Sequence, residues 1–419
     1  MLSATIKNLS GWFFLFVLLG SVRFFTIPIP ILLVWVVMAL FYMIVIKMIR
    51  ANKSVISSVF HDYWPLRLYI YYVVLMIVVG AFVQDNYWER KSLIMHIFDY
   101  LVPLIVFVFI FPEILKSVVR KWFNLTLLLI LPYFFFVKSW GIPWVLGLLP
   151  FYILFINAFK RKTIKVILFI VAIAVPLIDL EGRSVLLKFI VALIIGLSAA
   201  YIKSLGLVKC RIIITSFFVI PVLLLILGST DVFNVFNIQE FLSKKGYLKL
   251  KEDNTALVDT RSFIYEEQIY SSIINNYYIW GRTPARGFDS FYGEQNVDII
   301  KGAKNTSGDK GINLKNERNG CEVEILNQFN YFGLIGVFLF TLIFFSASWI
   351  SFSSNNIYVK LCGLYVAFRY MLTWIEDMAQ PSAPYVCLWI FIAICYSPYF
   401  RNMTNKEFVS FMNSCIRIK

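Results

Sequence analysis

The sequence predicts an all-α protein that crosses a membrane many times, with about 12 transmembrane helices and one large outer loop that contains amphipathic helices. Three observations support this prediction. The chain is 60% hydrophobic and only 15% charged, which lies far outside the range of soluble proteins. Apolar runs of about 20 residues, the length that a bilayer requires, recur along it. The one long polar stretch lies between residues 229 and 322.

Apolar windows bounded by charged or proline-rich segments mark the individual spans. They predict twelve helices, which begin near Leu9, Pro28, Leu66, Ser92, Trp122, Pro143, Ile164, Ser184, Ile212, Gln328, Ile357 and Tyr385. The predicted organisation is nine transmembrane helices in 1–228, a loop domain in 229–322, three transmembrane helices in 323–400 and a tail in 401–419.

The distribution of basic residues predicts the orientation of the chain. With the N-terminus in the cytoplasm, the predicted inner segments hold 20 basic and three acidic residues. Short cytoplasmic loops collect Lys and Arg in this way. We therefore expect a multi-pass protein of the bacterial inner membrane, with both termini cytoplasmic and the large loop periplasmic. The net charge of +15 indicates contact with anionic lipid rather than with nucleic acid.

The loop itself is nearly neutral, with 12 basic and 13 acidic residues. Within it, Asp259 and Thr260 offer an N-cap to a predicted amphipathic helix over residues 261–274. That helix either lies on the membrane or covers a cavity, with or without a part in the chemistry. A Gly- and Pro-containing turn follows it and carries Arg282 and Arg286. The loop contains no histidine and one cysteine, so we expect neither a metal site nor a structural disulfide.

Several charged residues fall within or beside predicted spans, where burial of a charge is costly. Lys188 lies in the eighth span and Arg369 in the eleventh, while Arg183 lies with Asp179 and Glu181 in the turn before the eighth. Each is a functional candidate. Arg183 and its two acidic neighbours can equally form a structural ion pair.

Three segments resemble a known family. Residues 180–187 (Leu-Glu-Gly-Arg-Ser-Val-Leu-Leu) resemble a Ser/Gly-Arg turn that begins a transmembrane helix. Residues 261–288 resemble an Arg-initiated periplasmic helix followed by a glycine-containing stretch, and residues 322–336 resemble a re-entry segment ending in Phe-Gly-Leu-Ile-Gly. Together and in this order, they are similar to motifs of the bacterial O-antigen polymerase and O-antigen ligase superfamily.

The differences from this superfamily favour a polymerase. At the position where ligases place a histidine before the re-entry glycine, this chain has Glu322. A ligase is the nearest alternative. A lipid-linked oligosaccharide flippase, which is a transporter, is an alternative from another class. Its loops are usually short and evenly distributed, which argues against a flippase for a chain with one long outer loop.

The resemblance implies a glycosyltransferase that uses undecaprenyl-diphosphate-linked oligosaccharide as donor and acceptor, and that inverts the anomeric carbon without a metal or cofactor. It also implies a chain-length regulator and a flippase as partners. Arginine presents a planar fork to phosphate oxygens, and a carboxylate serves as a base. The expected catalytic residues are Glu322, Arg183 and Arg261. The expected substrate contacts are Arg282, Arg286, Lys188, Glu324, Glu376, Asp377 and Trp280. Glu324, Glu376 and Asp377 are also the alternatives to Glu322 as the base.

Overall fold

The fold is mostly helical. This computed structural model describes residues 9, 11–13, 15–17, 31–58, 60–136, 148–178, 183–230, 232–233, 262–289, 317–378 and 381–416. Within these ranges, the side chains at 31, 55, 58, 60, 61, 125–136, 175–178, 183–185 and 263 lie outside the description. Arg261 and residues 290–316 of the predicted loop domain also lie outside it.

Among the described residues from 31 to 230, eleven helices form, which we number in chain order. They are α1 (Ile31–Ala51), α2 (Lys53–Ser58), α3 (Trp64–Val83), α4 (Tyr87–Tyr100), α5 (Val106–Phe109), α6 (Pro112–Phe136), α7 (Leu149–Leu154), α8 (Lys162–Ile178), α9 (Arg183–Leu197), α10 (Ala199–Ser204) and α11 (Leu207–Ser229). Short 3₁₀ turns span Phe60–Tyr63, Val102–Ile105 and Ile156–Ala158.

The described residues from 262 to 416 form six helices and a small hairpin. The helices are α12 (Ser262–Ile274), α13 (Glu324–Ser351), α14 (Ile357–Leu372), α15 (Ala383–Tyr396), α16 (Pro398–Asn402) and α17 (Asn405–Cys415). Strands β1 (Phe288–Asp289) and β2 (Glu317–Arg318) pair antiparallel, with Phe288 opposite Arg318.

Five helical stretches among the described residues are long and apolar enough to cross a membrane. They are Leu32–Ala51, Trp64–Val83, Tyr87–Phe109, Leu207–Ser229 and Glu324–Ser351. The chain is therefore an all-α membrane protein, as the sequence predicted. The full count of about 12 spans and the side of the membrane that the loop faces stay predictions.

The core lies around α15, in which every residue except Pro384 is buried, including Trp389. Helices α13 and α14 pack on α15, and α3 packs on α13. Helix α11 lies at the periphery, with most of its surface exposed. Since a lipid-facing helix surface is apolar, the exposed apolar side chains of α11 are suited to face the hydrocarbon of a bilayer.

The predicted helix over 261–274 is present as α12, but the structure divides its apolar residues. Ile264 is buried, whereas Ile269, Ile273 and Ile274 are exposed. The face toward the bundle is instead polar, and its buried members are Glu267, Gln268, Ser271 and Ser272. Polar groups occupy this face because backbone and side-chain groups of neighbouring segments need hydrogen-bond partners there. For example, Tyr277 donates to Ser271 Oγ at 2.8 Å.

Helix α13 is broken at Gly333, which has a φ of 63° and a ψ of −165°. The break leaves backbone groups without helical partners, and the loop after α12 supplies them. Arg282 N donates to Asn330 O at 2.6 Å, and Leu334 N donates to Tyr278 O at 2.9 Å. Irregular backbone is tolerated at membrane depth only where protein satisfies it in this way. The loop is consequently part of the bundle.

Candidate functional site

The candidate site lies where the start of α13 meets the turn that follows α14. Glu324 N donates to Glu376 O at 3.0 Å, and Ile325 N donates to Thr373 O at 3.0 Å. These bonds satisfy backbone N–H groups that the first turn of a helix leaves unpaired. They also hold Glu324, Glu376 and the neighbouring Asp377 in one place. The sequence predicted all three as substrate contacts without placing them together.

Glu324 is fully buried, and both of its carboxyl oxygens accept hydrogen bonds. Gln328 Nε2 donates to Oε1 at 2.8 Å, and the backbone N–H of Met378 donates to Oε2 at 3.0 Å. The carboxyl group of Asp377 also contacts it. A hydrogen bond between two carboxyl groups requires that one of them carries a proton. Glu324 thus connects α13 rigidly to the turn after α14.

Lys188 and Glu376 form a buried ion pair between α9 and this turn. The Lys188 side chain is 6% exposed and that of Glu376 is 20% exposed. The second carboxylate oxygen of Glu376, Oε2, is buried and has no hydrogen-bond partner. A partly accessible carboxylate with an open acceptor position can take a proton or a hydrogen bond from a ligand.

Arg369 adds a second buried cation beside Lys188. Arg369 is 2% exposed, and its guanidinium contacts Met378 Sδ at 3.5 Å and the Tyr365 side chain. Its Nε has no partner, and none of the described carboxylates pairs with it. A buried charge without a counter-ion is costly, so the arrangement favours an anion in this region.

Arg282 and Arg286 point to carboxylates of the loop and of α4. Arg282 reaches Asp289 and Glu317, each at 3.0 Å. Arg286 pairs with Glu317 and, at 3.6 Å, with Glu89 at the start of α4. The hydrogen bond and the charge of Glu317 raise the pKa of the Arg286 guanidinium above its ordinary value. The two arginines therefore join the hairpin to the membrane helices.

A second contact region joins the same loop to α4 through His96. Its Nδ1 lies 2.8 Å from Pro284 O, and its Nε2 lies 3.1 Å from the Tyr331 hydroxyl. The Ser92 hydroxyl also donates to Pro284 O, at 3.2 Å. These contacts bring the loop, α4 and α13 together, and they explain why a histidine is tolerated inside an apolar helix.

The remaining predicted site residues are dispersed. Trp280 has an exposed ring, and its carbonyl accepts from the Tyr72 hydroxyl at 2.7 Å. Glu322 is exposed, two residues before the buried Glu324. Arg183 is the first residue of α9, but its side chain lies outside the described residues, as does all of Arg261.

The structure thus brings together Lys188, Glu324, Glu376 and Asp377 in one cluster, with Arg282 and Arg286 in another. Arg369 and Gln328 belong to the first cluster, and the sequence did not place either there. A buried arginine in a transmembrane helix was the available signal for Arg369. Among the described residues, no group of three or more His, Cys, Asp or Glu side chains could hold a metal ion.

No protein-family model, curated protein or solved structure matches this chain.

Proposed function

We propose that this protein is a surface-polysaccharide polymerase, which joins oligosaccharide units carried on undecaprenyl diphosphate. The observation that supports this most directly is the cluster of Lys188, Glu376, Glu324 and Asp377 beside the broken helix α13. It combines a base, a cation and a proton-sharing carboxyl pair at the junction between bundle and loop. Intramembrane charges of this kind mark functional sites.

In the proposed reaction, Glu376 is the base. Its carboxylate takes the proton of an acceptor hydroxyl, and the hydroxyl oxygen forms a bond to the anomeric carbon of the donor sugar. The bond between that carbon and the diphosphate breaks, and the lipid diphosphate leaves with the electron pair. Attack opposite the leaving group inverts the anomeric centre. Lys188 is a positioning residue that keeps Glu376 ionised and oriented.

Glu376 is favoured over the other carboxylates by its surroundings. Glu324 has both oxygens occupied by protein donors. Glu322, the first candidate from the sequence, is exposed, and water weakens the effect of its charge on a substrate. Glu322 stays the alternative base, and a direct comparison of the two variants decides between them.

Counter-charge for the departing diphosphate comes from arginines. Arg282 and Arg286 already bind Glu317, so we assign them to holding the loop. Arg183 and Arg261 keep the proposed role of gripping the diphosphate. In this proposal the protein lies in the bacterial inner membrane with the loop periplasmic and both termini cytoplasmic, and it works with a flippase and a chain-length regulator.

One observation favours a second function, that of a proton-coupled flippase for the same lipid. The carboxyl groups of Glu324 and Asp377 lie in hydrogen-bond contact inside the bundle, and chains of carboxyl groups relay protons in transporters. A flippase would move the lipid-linked oligosaccharide without joining units. Product analysis therefore separates the two functions.

The test uses purified protein in lipid nanodiscs. The substrate is lipid-linked oligosaccharide extracted from cells that lack this protein. We expect a ladder of products from the wild type. Glu376→Gln and Lys188→Met should abolish the ladder, while Glu322→Gln should retain it. Glu407→Gln, which changes an exposed cap of α17, is the matched control and should also retain it. Absence of any ladder from the folded wild-type protein would refute the proposed function.

A further inference from the structure

The turn that follows α12 lies far along the membrane helix α3. The Trp280 carbonyl accepts a hydrogen bond at 2.7 Å from the Tyr72 hydroxyl of α3. Tyr72 lies eleven residues before Val83, the last residue of α3, and a helix rises about 16 Å over that length. Since a tyrosine side chain spans only part of this rise, Trp280 lies well inside the end of α3.

Helix α4 locates the next residues of the chain between that depth and the helix ends. A short turn joins α3 to α4, so the end of α3 and the start of α4 lie on one side of the membrane. Pro284 O lies 2.8 Å from Nδ1 of His96, which is nine residues, or about 14 Å of helix, from Tyr87 at the start of α4. Arg286 then contacts Glu89, near that start. The chain thus enters the membrane region beside the helices and returns.

The backbone of the turn is paired with protein groups at this depth. Leu334 N donates to Tyr278 O at 2.9 Å, and Ile335 N donates to Ile279 O at 3.3 Å. With the bond from α3 to Trp280 O, three successive carbonyls have partners. Irregular backbone can lie within the hydrocarbon region of a bilayer only when its polar groups are satisfied. The carbonyls of this turn meet that condition.

The side chains of the turn, by contrast, are apolar and exposed. Trp280 is 61% exposed, and Ile279 is exposed as well. Leu334, which bonds to the turn, and Phe338, one helical turn further along α13, are also exposed. The exposed apolar surface of the turn is therefore continuous with that of α13, a helix long and apolar enough to cross a membrane.

We propose that residues 278–280 form a re-entrant anchor, in which the Ile279 and Trp280 side chains contact the acyl chains of membrane lipid. Helix contacts within a bilayer favour small side chains that allow close approach. The exposed Trp280 and Phe338 are large, so acyl chains suit this surface better than a second copy of the chain does. Because the same turn bonds to α3 and to α13 beside Gly333, the anchor holds the loop at the break in α13. Trp280 thus contacts lipid, whereas the sequence predicted that it contacts substrate.

The first test places a nitroxide spin label at two exposed positions of the full-length protein in lipid nanodiscs. Ile279→Cys carries the label in the turn, and Glu322→Cys carries it at a polar position before α13. Oxygen concentrates in hydrocarbon and a nickel chelate stays in water, so spin relaxation by each reagent reports the surroundings of the label. The unsubstituted protein, whose six cysteines are buried, gives the background.

We expect oxygen to relax the label at position 279 more than the nickel chelate does, and the reverse at position 322. Nickel access at position 279 as high as at position 322 would place the turn in water and overturn the anchor. Low access to both reagents at position 279 would show that protein covers the turn, as a second copy of this chain would, and would also overturn the contact with lipid.

A second measurement leaves Ile279 in place and uses the fluorescence of Trp280. The emission that Trp280→Phe removes belongs to Trp280, and bromine atoms on lipid acyl chains quench an indole ring beside them. The difference in emission between wild type and variant should therefore be smaller in brominated than in ordinary phosphatidylcholine nanodiscs. Trp389→Phe, at a fully buried ring, is the matched control and should give the same difference in both lipids. An equal difference for Trp280→Phe in both lipids would refute its contact with acyl chains.

Discussion

Removal of the Lys188 ammonium group tests the buried ion pair at the centre of the site. Lys188→Met keeps a long apolar side chain and leaves the Glu376 carboxylate without its cation. Loss of one partner from a buried pair costs about 3–5 kcal/mol. Because the Glu376 side chain is 20% exposed, partial solvation reduces this cost, and we expect a loss of about 3 kcal/mol in the free energy of unfolding.

The double variant Lys188→Met/Glu376→Gln removes both charges and should recover part of that loss. We expect a coupling energy of about 2 kcal/mol, within the range for directly interacting residues. The assay is denaturant unfolding of the purified protein in detergent, measured for the wild type, both single variants and the double variant. Polymer formation should stay absent in the double variant because the base is missing.

Lys406→Met provides the control, since Lys406 lies exposed on α17. A surface substitution of this kind changes stability by about 0.5 kcal/mol or less. If Lys188→Met destabilises the protein no more than Lys406→Met, or if the coupling energy falls below about 0.5 kcal/mol, Lys188 and Glu376 do not pair in the folded protein. Glu376 would then lack the cation that orients it as the proposed base.

Three further predictions follow from the loop and its contacts. Gly333→Ala should destabilise by at least about 1–2 kcal/mol, because φ is positive there and a Cβ would overlap the Ile279 carbonyl. Gly11→Ala, at an exposed helical position where a Cβ meets open space, should not destabilise the protein in the same unfolding assay. Arg286→Ala should leave the Glu317 carboxylate buried with one fewer partner, and faster hydrogen exchange across residues 277–289 would report it. Burial raises the pKa of the Cys321 thiol to about 12. Its thiolate fraction, and so its maleimide reactivity, should therefore stay low at pH 8. Glu322→Cys, by contrast, should react at pH 8 with an impermeant maleimide added outside the cell. Rapid labelling of Cys321 in the native protein would contradict the first expectation, and labelling of Glu322→Cys only after lysis would contradict a periplasmic loop.

Local sequence patterns were sufficient for several of the helices. The predicted helix over 261–274 has its N-cap, period and end within one short segment, and α12 occupies almost that range. The long helices α1, α3 and α11 begin within a few residues of three predicted spans. In each case neighbouring residues carry the whole signal, so one sequence is enough.

The sequence patterns did not predict which face of each helix is buried or which segments it contacts. The apolar period of α12 predicted a common face, yet Ile264 is buried and Ile273 exposed. A membrane protein has apolar surroundings on the outside as well as an apolar core, so periodicity no longer separates inside from outside. The polar face with Gln268 turns inward because the backbone carbonyl of Leu326, at the start of α13, accepts a hydrogen bond from the Gln268 amide.

By itself, the sequence determined that this protein is a helical membrane protein. The free energy of moving an apolar segment into a bilayer is set by the residues of that segment. Only the tertiary structure decided that Lys188 meets Glu376, that Arg282 and Arg286 meet Glu317, and that Arg369 has no such partner. Those pairs join residues distant in the chain, and electrostatic energy depends on their separation in space.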